Sequence, residues 1–231
     1  MKKQLLKGES SMFLDLAPRG PEEYEELGFV LVTDVVPDVI LEIRYYSTFN
    51  FVGKRIDAYE APVAYLTKEA AAALKHVSDD LMKQGYRLKV YDAYRPQSAV
   101  DHFKVWAQDA DALEMKPYFY PEVEKSELFT RGYISAQSGH SRGSTIDLTI
   151  VDMMTGCEVD MGGGFDYFGE ESHRDYIKTL TQEQIKNRRF LRKAMEDNGF
   201  TTEPEEWWHF TLENEPYPDT YFDFPIVMPR R

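Results

Sequence analysis

The sequence predicts an α+β fold: a single domain in which a mostly antiparallel central sheet is covered by helices. Three observations lead there. Helical and extended segments alternate along the chain. The extended ones are short and are separated by hairpin-scale loops as well as by helices. No strand–GxGxxG–helix unit stands near the start, where a doubly wound parallel sheet would carry one.

Residues 1–26 read as an N-terminal lead-in of mixed charge, with Pro18 and Gly20 ahead of a largely acidic run from Glu22 to Glu26; residues 27–231 read as the folded domain. Gly28 to Val35 has the β-branched enrichment of a strand, and Ile40 to Tyr45 is a second short extended piece. Thr67 can cap a helix whose stripe is Leu74, Val77, Leu81 and Met82 and which Gly85 can end. Tyr86 to Tyr94 alternates as a strand that runs into Arg95-Pro96, and Pro96 can start a helix over 97–113. Pro117, Pro121 and scattered aromatic residues make 114–136 a long loop or irregular excursion. Ser144 to Asp152 is a strand, and Met161 to Asp166 is a glycine-rich loop. Residues 181–198 form a helix capped by Thr181 and closed by Asn198-Gly199, and Trp207 to Phe210 lies in a strand-like run.

Composition narrows the function classes. With 231 residues, 42% hydrophobic and 14% aromatic, the chain can bury a full core and is not a disordered one. Forty acidic against 27 basic residues give a formal charge of −13, with no lysine and arginine stripe to offset it, which argues against a nucleic-acid partner. The only cysteine, Cys157, rules out an intrachain disulfide and a multi-cysteine zinc site, and it suits a reducing compartment. No stretch approaches the ~20 apolar residues of a membrane span. Lys7 to Ser11 interrupts the early apolar run, so a retained signal peptide is not expected. The expected location is the cytoplasm, or the periplasm had a leader been removed. Aromatic residues of the 115–133 excursion and the tail suit a core and an interface equally, so the oligomeric state stays open.

Two of the five histidines stand in distinctive settings. His140 lies in the glycine-containing loop Ser138–Gly143, and Asp147 follows in the next strand, between Ile146 and Leu148 and facing away from both. A carboxylate inside a sheet is costly unless it is paired or bound to a metal; the competing reading is a solvent-facing aspartate beside a loop histidine. His209 is flanked by Trp208 and Phe210, with Glu206 three residues upstream. In a strand that separation puts the two side chains on opposite faces, so their cooperation requires a bend near Glu206. The competing reading is an aromatic core strand with a satisfied histidine. Together His140, Asp147 and His209 are typical donors for one catalytic Zn2+ with an open position for water, and Glu206 is the natural general base. Arg95, at the end of a strand, suits an oxyanion donor and equally a surface salt bridge with Asp92.

The chain resembles the D-alanyl-D-alanine dipeptidases of the VanX type, peptidase M15, within the wider group of zinc peptidases that includes D-Ala-D-Ala carboxypeptidases. The matching stretches run in order: YSTFNFVGK (46–54), YDAYRPQSAV (91–100), SGHSRGSTIDLT (138–149), MGGGFDYF (161–168), NRRFLRKAMEDNGF (187–200), EEWWHF (205–210) and EPYPDTYFDFP (215–225). The resemblance implies zinc ligands at His140, Asp147 and His209, a catalytic glutamate at Glu206 and a transition-state arginine at Arg95. It implies substrate contacts from Ser138, Tyr45 and Asp166, the last holding the free amino group of a small D-amino-acid dipeptide. It further implies cleavage of D-Ala-D-Ala to two D-alanines, in glycopeptide resistance or in recovery of D-alanine. The alternatives are a D,D- or L,D-carboxypeptidase acting on longer wall peptides, and a non-catalytic zinc-bearing wall-binding module. The chain departs from the family at Gly163-Gly164, where serine or threonine followed by a larger residue is usual. A lost hydroxyl beside the substrate loop would alter the pocket and its preference for the second residue.

Overall fold

The computed structural model describes residues 21–229. The N-terminal lead-in lies outside the described residues as far as 20; its last six residues form a short helix, α1 (Pro21–Glu26), whose Tyr24 is buried in the core. A two-stranded antiparallel ribbon follows, β1 (Phe29–Leu31) with β3 (Tyr65–Thr67). The strand expected over 28–35 is therefore cut short. Val32 donates to the Ala64 carbonyl at 2.9 Å, and the chain then turns into one helical turn, α2 (Val32–Val35).

The central sheet has five strands in the order β2 (Ile40–Leu41), β4 (Tyr86–Asp92), β5 (Thr145–Asp152), β7 (His209–Leu212), β6 (Phe200–Thr202). Only β2–β4 is parallel; the other three pairings are antiparallel. The expected α+β architecture is thus the observed one. Strand β5 is buried along nearly its whole length, as its central place demands. Its alternation sends Ile146, Leu148 and Ile150 to one face and Asp147 and Thr149 to the other.

Helix α3 (Lys68–Met82) packs against β4 and against α6 (Gln182–Glu196). Thr67 accepts from the Ala70 N–H at the start of α3, as expected. Thr181 and Gln184 form a full capping box on α6: Thr181 accepts from the Gln184 N–H, and the Gln184 side chain accepts from the Thr181 N–H. Helix α4 (Gln97–Gln108) ends five residues earlier than the sequence suggests. Asp109 takes an extended backbone, and its carboxylate accepts from the Asp111 N–H, a local bond that competes with helix continuation. The 114–136 excursion is irregular, holding only the single turn α5 (Lys116–Phe119) and a 3₁₀ turn, yet Phe119, Tyr120, Val123 and Leu128 are buried in the core. No helix among the described residues is long and apolar enough to cross a membrane.

Candidate active site

Three strands of the sheet bring the site together. Asp147 of β5 pairs in register with Asp92 of β4 on one side and with His209 of β7 on the other. These three residues form one row across the sheet, and a bulge between Val90 and Asp92 adjusts the end of β4. His140 enters from a 3₁₀ turn, Gly139–Arg142, that immediately precedes β5. Ser138 caps this turn, its hydroxyl accepting from the His140 N–H at 3.3 Å. Gly143 closes it at φ +86, where a Cβ would also meet the Phe29 ring at 2.2 Å. Only glycine satisfies both demands there.

The donor atoms converge. His140 Nε2 lies 3.2 Å from Asp147 Oδ2 and 3.3 Å from His209 Nδ1, and His209 Nδ1 lies 3.1 Å from Asp147 Oδ1. A carbonyl only accepts, so the 2.7 Å contact between His140 Nδ1 and the Ala93 oxygen fixes the proton on Nδ1 and leaves the Nε2 lone pair turned into the site. Asp147 Oδ1 is buried without a well-directed hydrogen bond among the described residues. Two imidazoles and a carboxylate with an orphaned oxygen, their donor atoms all within 4.8 Å of one another, fit a metal ion of the zinc type. Burial lowers the His209 pKa, but the adjacent Asp147 and Glu206 carboxylates outweigh it and hold the imidazolium up to about 10 in the metal-free protein. Burial raises the Asp147 carboxyl, but its contacts with the two histidines outweigh burial and hold it below the ordinary range.

Glu206 stands next to this cluster, its Oε2 3.2 Å from His209 Nδ1. The bend that the sequence required is present. Trp207 and Trp208 form a turn rather than strand, the His209 N–H reaches back to the Glu206 carbonyl at 3.5 Å, and β7 starts only at His209. Arg95 combines the two readings open to it. It pairs with Asp92 at 2.9 Å, but it does so in the wall of the site, half-buried, with Nη2 3.6 Å from Asp147 and the guanidinium 4.9 Å from the Tyr45 ring centre. Asp166 is buried and held at φ 59, a left-handed backbone uncommon outside glycine that concentrates at functional positions. The Tyr45 hydroxyl donates to it at 2.9 Å. Burial, then the charges of Asp147 and Glu206, push the Asp166 carboxyl well above the ordinary range.

All eight residues singled out in the sequence line one cavity of about 370 Å³: Tyr45, Arg95, Ser138, His140, Asp147, Asp166, Glu206 and His209. A profile of the peptidase M15 family, described as D-ala-D-ala dipeptidase, matches residues 25–227. The chain belongs to the peptidase M15 family. Its relatives in that family include the D-alanyl-D-alanine dipeptidase of Enterococcus faecalis, 43% identical over 87% of this chain and 99% of the relative. The D-alanyl-D-alanine dipeptidase of Streptomyces coelicolor is 42% identical over 86% of this chain and 98% of its own length. That of Escherichia coli is 34% identical over 77% and 81%.

Two features of this M15 site escaped the sequence. Asp92 is not a rim residue: it is buried, accepts from the Tyr59 hydroxyl at 2.6 Å and anchors Arg95 from below. The DAYRP segment carries the Asp92–Arg95 pair, but nothing local announces Tyr59, which topology alone brings in. The expectation for Gly163-Gly164 is corrected. In this M15 chain they line a different cavity, with Arg44, Tyr91 and Trp207, rather than the one holding the eight residues. A Cβ at Gly163 would meet Arg188 and Trp207, and one at Gly164 would meet nothing within 4 Å.

Proposed function

We propose that this enzyme hydrolyses free D-alanyl-D-alanine to two molecules of D-alanine, using one Zn2+ held by His140, Asp147 and His209. The observation that carries the reading is a buried carboxylate, Asp166, in the same small cavity as the His/Asp/His cluster. A metal cluster alone serves any peptidase. A buried carboxylate beside it rewards a substrate that brings its own ammonium into the pocket, which a dipeptide does and an acylated peptide does not. The cavity volume, about 370 Å³, lies at the small end of the ~300–1,000 Å³ usual for small-molecule sites.

When bound, zinc supplies Lewis-acid polarisation of the scissile carbonyl and acidifies water. The protein's residues do the rest. Asp166, oriented by Tyr45, takes the substrate ammonium, and that charge offsets the cost of ionising a buried acid. Glu206 accepts the proton of the attacking water and returns it to the departing amine. Arg95, locked in place by Asp92, donates to the oxygen on which charge develops. Ser138 lines the wall beside His140 and is assigned a substrate contact. The names of the relatives and the order of the matched elements support the same substrate. The single exposed cysteine, Cys157, keeps the cytoplasm as the compartment proposed.

The test is zinc content measured with D-alanine release from D-Ala-D-Ala and from an N-acyl-D-Ala-D-Ala, for the native protein and for Glu206→Ala. Expected are one zinc per chain in both, release from the free dipeptide alone, and a fall in kcat of roughly 10²–10⁴-fold for the variant. Faster release from the acylated peptide would replace the dipeptidase reading by a carboxypeptidase.

A further inference from the structure

The stretch NRRFLRKAMEDNGF begins in α6, which holds it as far as Glu196, and has no part in the chemistry above. On that helix Ile185, Arg188, Arg189 and Arg192 fall at the spacing of one face. With Arg174, Thr202 and Trp207 this face lines a cavity of about 250 Å³ separate from the active site. Four guanidiniums around one small cavity are unexpected in a chain of net charge −13.

Their compensation is incomplete. Asp175 is the only carboxylate in the lining, and Arg174 and Arg192 share it. Arg192 also pairs with Glu196, and Arg174 donates to the Thr202 hydroxyl at 3.0 Å. Among the described residues no carboxylate pairs with Arg189, which is exposed, or with Arg188, which is only 5% exposed. Arg188 hydrogen-bonds only to carbonyls, Nε to Met161 at 2.6 Å and Nη1 to His173 at 3.3 Å, with its guanidinium 5.6 Å from the Trp207 ring centre. Its Nη2 and the indole N–H of Trp207 are buried with no acceptor among the described residues. Burial pulls the Arg188 guanidinium down to about 10, so it stays charged at neutral pH. A buried cation that no carboxylate pairs with, one of its own N–H groups orphaned beside an orphaned indole N–H, is costly unless an anion completes it.

We propose that this cavity is a binding site for a phosphate-type oxyanion, seated between Arg188, Arg189 and Arg192 on the back of the turn that presents Glu206. Guanidinium forks match tetrahedral oxyanions, and the indole and Arg188 offer the donors that such an ion satisfies.

The test follows the indole N–H signals of the full zinc-loaded chain by NMR while inorganic phosphate replaces chloride at constant ionic strength, with glycerol 3-phosphate in a parallel series. The Trp207 signal is assigned through Trp207→Phe. Phosphate or its ester is expected to move that signal saturably, and Arg189→Gln is expected to weaken binding about tenfold or more, as loss of one charge-assisted hydrogen bond does. The tighter of the two probes tells whether the free ion or an ester is the natural occupant. Arg189 is exposed and outside the active site, so its variant keeps the fold. A Trp207 signal that stays still through millimolar phosphate overturns the site. So does a midpoint unchanged in Arg189→Gln, because the ion then binds at the metal centre.

Discussion

At the scale of single residues the molecule stores cost where it binds. Asp166 is the clearest case: a carboxyl pushed above its ordinary value of 3.8 by burial and by neighbouring negative charge. The folded protein holds this proton more tightly than the unfolded chain, so stability is present below pH 3.8 and is lost as pH rises toward the folded value. Each pH unit in that window costs about 1.4 kcal/mol. Asp166→Asn removes the penalty while keeping an acceptor for Tyr45. Urea unfolding at pH 5 and pH 8 is expected to show the variant gaining on the native protein at the higher pH, while activity on the free dipeptide falls. Gly163 is the opposite case, a missing group. A Cβ there would lie 3.3 Å from Arg188 Nη2 and 3.9 Å from the Trp207 indole nitrogen, the two orphaned donors, at a backbone angle that other residues adopt. Gly163→Ser supplies an acceptor and stiffens the unfolded chain, and it is expected to stabilise by about 1 kcal/mol in the same assay, without changing kcat.

At the scale of elements, capping and periodicity carried far. The Thr181–Gln184 box starts α6, and Thr181→Ala is expected to cost about 1 kcal/mol of thermal or urea stability and leave catalysis intact. That helix, α3, β4 and β5 were all legible because each has a local signature: a cap, a stripe or an alternation. The short pieces were not. β3 and the early end of β1 are set by pairing between residues far apart in sequence, and α4 stops at an aspartate whose side chain bonds its own backbone. The site was legible as a set of residue types, and the bend at Glu206 followed from the need to face His209. The anchoring of Arg95 on Asp92 and Tyr59 was not, because the Asp92–Tyr59 bond joins residues that only the finished fold makes neighbours.

At the scale of the whole molecule, metal and fold are linked. A metal ion held by His140, Asp147 and His209, which only the native fold assembles, would stabilise the folded state by mass action, by about 4 kcal/mol at a thousandfold excess over its dissociation constant. Chelation is expected to lower the melting temperature and added zinc to restore it, with both effects absent in His140→Ala. A calorimetric scan of the four samples checks this. Strand order makes the linkage strict. Asp147 and His209 sit directly opposite each other only when β7 has docked between β5 and β6.

That docking order bears on how the enzyme is made. The strand that supplies His209 follows both His140 and Asp147 along the chain, so a ribosome delivers it seconds after they have emerged. A nascent chain at that stage owns two ligands and no pocket, and it has little hold on any ion it meets. The choice among cellular metals falls to a finished cleft of fixed geometry, once β7 has docked.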